Sequence, residues 1–265
     1  MIIASIIIVT KNQKHFLEKT IPTLLNQKIK DQFEIIVVDS GSTDGAREYI
    51  EKINKIKLIK ISPQGFKFAN AFNTNAKEAK GKYLVRLSGD CVPQGDQWLS
   101  EIVKSFEDES VGGVFGKYIL SGKKGYTYPN FWSASRFPKR KTRYSVKPYP
   151  FMGVGFFNLT PDRKVYEFAG GCCAVRKDIW EKRPFNERLL AGEDAEYSWF
   201  LHLIGYDVLY SPKIEVLHEH KIDPLGSVKA YSGLDKWSLV FSWEILRYWI
   251  GRVLGHDPYK GMYRT

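Results

Sequence analysis

The chain has 265 residues, 43% of them hydrophobic, which is enough for a substantial core and excludes intrinsic disorder as its default state. A balance of 40 Lys and Arg against 29 Asp and Glu gives a net charge of +11 and a pI near 9.4, so an anionic partner is expected. Three cysteines, two of them adjacent, exclude the disulfide framework of a small secreted domain, and no window reaches the roughly 18 to 20 uninterrupted apolar residues of a membrane-spanning helix.

The elements alternate from the start. Ile2 to Val9 is a β-branched run typical of a strand covered on both faces; it lacks a basic flank and a cleavage site and reads as a buried strand, not a leader. Phe16 to Asn26 has helical spacing, Glu34 to Val38 is a second strand, and Asp39-Ser-Gly-Ser-Thr-Asp-Gly45 is a polar turn into a helix of about eight residues. Ile56 to Ile61 is a third apolar run. This β-α-β-α-β beginning predicts a parallel sheet wound with helices, with its ligand crevice beyond the carboxyl ends of the strands, where Thr10, Asp39 and Asp90 fall.

A helix over about Ala69 to Ala79 leads to strand Tyr83 to Leu87, and Trp98 to Phe106 is the following helix. The stretch from Gly122 to Thr160 has weak periodicity and reads as a long functional loop. Ser121 to Lys164 holds ten Lys/Arg against the single Asp162, so much of the basic character is one patch. Its Tyr126, Tyr128, Trp132, Tyr144 and Tyr149 suit a sugar or phosphate-bearing acceptor, since aromatic faces stack on sugar rings while cations neutralise phosphate. Regular structure returns at Phe168 to Val175, a helix around Glu193 to Leu203, and strands Asp207 to Tyr210 and Ile214 to His218. A final helix from about Leu234 to Leu254 carries Trp237, Trp243 and Trp249 and is apolar except for the sector of Lys236, Glu244 and Arg247; it can bury into the domain, a second subunit or the lipid interface.

The string Glu34 to Gly45, with Ser5-Ile-Ile-Ile-Val-Thr-Lys-Asn12 before it and Asn73 to Gly81 after it, resembles the family 2 glycosyltransferases of the GT-A fold. The resemblance covers about residues 1 to 222 and continues motif by motif. It implies an α/β, Rossmann-like fold: a mixed, mostly parallel sheet with flanking helices and a C-terminal helical extension. The expected division is a catalytic domain over 1–222, nucleotide-sugar binding over about 1–92 and acceptor side over 93–222, followed by a helical extension over 223–265.

The family's residues carry over as follows. Asp39 takes the nucleotide base, with Thr10, Ser42 and Asp44 lining the same pocket and Asn73 on the donor side. Leu87-Ser-Gly-Asp-Cys-Val-Pro93 occupies the place of the metal-holding Asp-X-Asp signature; Asp90 matches the second Asp, while Ser88 stands where the first would be and Gly89 lies between them. Hard Mg²⁺ or Mn²⁺ keeps waters and substrate phosphates as ligands, so one carboxylate can suffice. The variant is similar to rhamnosyltransferase-like members, which implies a hexosyl or deoxyhexosyl donor. Gly170-Gly-Cys-Cys-Ala-Val-Arg176 resembles the segment in which Gly170 and Gly171 let the backbone approach the donor sugar. Pro184 to Trp199 matches the segment whose Asp removes the acceptor proton, which makes Asp194 the base and Glu193 its orienting neighbour. His218, or else His220, corresponds to the late histidine that completes the cation site.

The reading is therefore an inverting transfer from a UDP- or dTDP-sugar to a glycan or lipid-linked glycan, aided by Mg²⁺ or Mn²⁺. The chain is expected in the cytoplasm, with peripheral contact to the inner face of the membrane and no nucleic-acid partner, because strand-end acids repel a phosphate backbone. An inactive sugar-binding relative and a nucleotidyltransferase stay open as alternatives; nothing in the sequence indicates the oligomeric state.

Overall fold

The computed structural model describes residues 1–64, 66–119, 139–145, 168–189, 192–218, 243 and 246–264. Chain order begins β1 (Ile2–Thr10), α1 (Lys14–Leu25), β2 (Gln32–Asp39), α2 (Ala46–Glu51), β3 (Ile56–Lys60), α3 (Phe68–Ala76) and β4 (Tyr83–Ser88). It continues with β5 (Cys91–Pro93), α4 (Trp98–Ser105), β6 (Val111–Ile119), β7 (Thr142–Tyr144), β8 (Cys172–Arg176), α5 (Lys177–Lys182), α6 (Glu193–Leu203) and β9 (Asp207–His218).

The nine strands of the described residues form one sheet in the order β3-β2-β1-β4-β8-β6-β9-β5, with β7 on β9. β1, β2, β3 and β4 pair in parallel, β6 is parallel to β9, and β8, β5 and β7 run against their neighbours. Six of nine strands thus share one direction, and the mixed, mostly parallel sheet expected from the sequence is present. Ile6, Ile7 and Ile8 are fully buried, because β1 lies between β2 and β4 with helices packed on the sheet. Each such side chain contributes about 1.5 to 3 kcal/mol of burial free energy.

Four strands differ from the sequence reading. β6 went unread because Gly112, Gly113 and Gly116 interrupt its hydrophobic pattern. Those glycines are needed for packing: a Cβ at Gly113 would lie 2.8 Å from Leu201 of α6, and one at Gly116 would meet the Ile214 carbonyl. β7 lies inside the expected loop, and β5 is only three residues long. The two late strands are one: Ser211 pairs with Gly116 and Glu215 with Lys117, so Pro212 sits in an irregularity that bends β9 without ending it. At the C-terminus, residues 246–253 are helical. Tyr126, Tyr128, Trp132, Tyr149, His220, Lys236, Trp237 and Glu244 lie outside the described residues.

Candidate active site

The carboxyl ends of β1, β2 and β4, the Gly170-Gly171 segment, the start of α6 and the end of β9 enclose a cleft of about 580 Å³. Its lining includes Thr10, Ser40, Ser88, Asp90, Gly170, Gly171, Glu193, Asp194 and His218, drawn together from positions far apart in the chain. Lys11, Gln13, Pro63, Phe66 and Phe68 complete one wall.

The β1 and β2 turns are built as one unit. Asp39 ends β2 with 1% exposure, and its carboxylate accepts the backbone N–H of Ser42 (3.2 Å) and of Gly41 (3.2 Å) and the Nε–H of Arg47. Burial opposes its ionisation, yet the bonds from Ser42 and Arg47 hold the carboxyl below its ordinary range. Ser42 Oγ accepts the Asn12 N–H at 2.8 Å, and Asp44 accepts the N–H groups of Lys14 (2.8 Å) and Ala46 (3.1 Å). Asp39, Ser42 and Asp44 therefore brace the pocket wall, whereas Thr10 and Ser40 line it. Gly89 packs beneath: a Cβ there would come within 2.6 Å of Thr10 Oγ1.

Asn73 has a different place from the one the sequence implied. It is fully buried; its amide donates to the Phe185 carbonyl (2.7 Å) and Glu187 (3.0 Å), and its Oδ1 accepts Trp180 Nε1 (3.0 Å) and the Phe185 N–H (3.2 Å). With those groups engaged by protein, Asn73 latches α3 to the segment ahead of α6 and does not line the cleft.

Asp90 and His218 face each other because β5 pairs antiparallel with β9, placing Cys91 opposite His218. His218 Nε2 is 3.3 Å from Asp90 Oδ1, with both side chains 6% exposed. Cys91 also has its sulfur within 4.8 Å of ligand atoms of both, and burial pushes that thiol well above its ordinary range. Tyr118 stands edge-on to the His218 ring at 5.0 Å, and its hydroxyl accepts the Gly171 N–H at 2.9 Å. The Gly171 carbonyl in turn accepts the Ser88 N–H at 2.9 Å, which fixes Ser88 at the mouth of β4.

The opposite wall begins at Gly192, whose φ of 71° starts α6 from a left-handed residue. Asp194 Oδ2 accepts the Gly170 N–H and Oδ1 the Ala195 N–H, both at 2.8 Å. A Cβ at Gly170 would lie 2.6 Å from Asp194 Oδ2, so the glycine is required for this approach. Burial, followed by the neighbouring Glu193 charge, pushes the Asp194 carboxyl up to about 6, against the pull of Arg86 and the two N–H donors. Glu193 is itself paired with Arg86, Nη2 to Oε1 at 2.6 Å. Such a carboxylate can accept a proton near neutral pH. Arg86, Gln13, Phe66, Phe68 and Tyr118 were missed in the sequence. Arg86 had a readable signal, a lone charge inside the apolar strand Tyr83-Leu-Val-Arg-Leu87.

The family model "Glycosyl transferase family 2" matches residues 5–182. Glycosyltransferase AglE of Haloferax volcanii is 25% identical over 84% of this chain and 68% of its own length. The O-antigen biosynthesis protein RfbC of Myxococcus xanthus is 23% identical over 98% of this chain, but the chain spans only 20% of RfbC. The mannosyltransferase PcManGT from Pyrobaculum calidifontis, solved in complex with GDP-Man and Mn²⁺, superposes with a TM-score of 0.58 at 19% identity, over 98% of this chain and 77% of that one. This last likeness shows the fold, and with the matched family and the sheet order the chain belongs to the family 2 glycosyltransferases, a GT-A enzyme that transfers a sugar.

Proposed function

We propose that the cleft holds a nucleoside-diphosphate sugar and that Asp194 removes the proton of an acceptor hydroxyl as the anomeric carbon is attacked. The observation that carries this is the Asp194 carboxylate: partly buried, fixed by two backbone N–H groups, and lining the same cleft as Asp90 and His218. Thr10, Ser40 and the Phe66 and Phe68 side form the nucleotide end, and Gly170 and Gly171 admit the sugar. Attack from the Asp194 side, opposite the leaving group, inverts the anomeric centre.

A buried carboxylate oxygen and an imidazole nitrogen 3.3 Å apart suit a divalent cation, Mg²⁺ or Mn²⁺, with Asp90 and His218 as its holders. When bound, it neutralises charge on the departing diphosphate. Ser88, in place of a second acid, leaves that end of the site one charge less negative.

The donor reading is UDP- or dTDP-sugar, with GDP-Man in PcManGT as the rival. The acceptor is a glycan or lipid-linked glycan, a reading supported by likeness to an O-antigen biosynthesis protein and by the basic, aromatic stretch 121–164. The test is nucleoside diphosphate release from UDP-, dTDP- and GDP-sugars with Mn²⁺ and lipid-linked oligosaccharide acceptors, followed by NMR of the product. Release with an inverted linkage supports the reading; a retained configuration defeats Asp194 as the base of a single displacement.

Peripheral contact with an anionic leaflet on the cytoplasmic face belongs to the same reading. Among the described residues no helix is long and apolar enough to cross a membrane. Trp243, Ile250, Val253 and Leu254 are exposed by 61, 48, 84 and 69%, in the segment around the 246–253 helix, where Tyr248 is buried and Arg247 and Lys260 are also exposed. An apolar stripe flanked by cations complements an anionic lipid surface. Sedimentation with phosphatidylglycerol vesicles, reduced in I250E/L254E, checks it; equal sedimentation of both proteins contradicts it.

A further inference from the structure

Arg86 is a charge set in the middle of a buried strand. β4 lies between β1 and β8, with Arg86 opposite Ile7 on one side and Cys173 on the other. The guanidinium lies over the rings of Phe68 and Phe185, at 5.6 and 5.8 Å from their centroids. Its ion pair with Glu193 is 2.6 Å long, with the side chains 9% and 3% exposed. Only Nη2 takes part; Nη1 is buried without a hydrogen-bond partner. Such a pair is a poor device for stability, because desolvating two charges offsets most of their attraction and an orphaned donor adds to the cost.

Its location gives it another use. Side chains alternate along a strand, so Arg86 and Ser88 share a face, and Asp90 follows directly from the same strand end. The three first-turn acids of α6 each have separate partners. Asp194 is held by Gly170 and Ala195, Glu196 by Arg183, and Glu193 by Arg86. Of these partners only Arg86 stands on the strand that ends at the diphosphate side of the cleft.

We infer that Arg86 is a positioning residue for sugar transfer: through Glu193 it fixes the first turn of α6 to β4, so that the base and the Asp90 end of the cleft keep one spacing. The inference rests on the proposed role of Asp194. The groups facing Asp194 are Glu193 on α6, Arg86 on β4 and the Cys173 thiol on β8, which burial keeps protonated. Arg86 is the one cation among them, so removing it leaves the charge of Glu193 against Asp194 uncompensated.

The experiment compares wild type, R86K, R86M and R86M/E193Q by donor titration and by kcat against pH, using the donor that the wild type turns over. Arg86 also borders the cleft beside Phe68, so R86M is expected to weaken donor binding by no more than a few-fold while kcat falls about 10- to 100-fold through misplacement of the base. Its acid limb moves to higher pH by about one unit, the effect of losing a nearby opposite charge. R86K, which can restore a single contact and the charge, regains most of both. The double variant buries no unpaired charge and tests the tether even if R86M does not fold; its kcat stays at least about 10-fold down. Wild-type kcat in the double variant, an unmoved acid limb in R86M, or a loss of donor affinity as large as the loss of kcat would each overturn the inference. No turnover by wild type with any donor would instead defeat the function on which it rests.

Discussion

Asp194 is destabilising in its ionised form, the form that the proposed reaction needs. Its folded pKa of about 6 lies above the ordinary 3.8, so the folded chain holds this proton more tightly than the unfolded chain. The penalty is absent well below pH 4, grows between about pH 4 and 6, and is complete at pH 7. Asp194→Asn should therefore raise Tm at pH 7, by about 2–4 °C for each kcal/mol relieved, and lower kcat by about 10²- to 10⁴-fold. Calorimetry beside turnover checks both; a lower Tm would mean that the carboxylate serves chiefly as a helix cap. In the wild type, kcat/KM should fall as pH drops through about 6, when Asp194 takes up its proton. Gly170→Ala puts a methyl group 2.6 Å from Asp194 Oδ2, so it should cost about 10²-fold in kcat with little change in donor Kd. Equal activity in that variant would show that the carboxylate is free to move.

At the scale of elements, the sequence disclosed what repeats and concealed what depends on contact. The β-branched run of β1 and the strand-turn-helix around Asp39 are local patterns, so both were legible. β6 was not, because its glycines answer to Leu201 and Ile214 in distant elements. The same reason governs the site. Asp90, Asp194 and His218 stood out by motif, and the structure brings them to one cleft. The supporting places of Asp39, Ser42 and Asp44 depend on the fold between two turns, and Asn73 is a latch whose partners lie more than 100 residues away. Asn73→Ala leaves the Trp180 and Phe185 N–H groups buried without an acceptor, for a loss of about 2–4 kcal/mol. Urea unfolding measures it; a loss below about 0.5 kcal/mol, the range of an ordinary surface substitution, would contradict the latch.

On the scale of the whole molecule, the sheet separates two tasks. Its parallel half, β3-β2-β1-β4, delivers Thr10, Ser40 and Ser88 to the cleft, and its mixed half, β8-β6-β9-β5, delivers Gly171, His218 and the neighbourhood of Asp90. β4 and β8 join the halves, so the cleft that holds Asp90, Asp194 and His218 opens where strand direction changes. The terminal residues pack on α6: Tyr248 lies against Trp199, and Tyr259 against Phe200. The most direct test of this account is calorimetric titration of wild type and Asp90→Ala with UDP-, dTDP- and GDP-sugars, with and without Mn²⁺. The account predicts saturable binding of one donor class that Mn²⁺ strengthens in the wild type and not in Asp90→Ala. Donor binding that is the same in both proteins, with or without Mn²⁺, would contradict it.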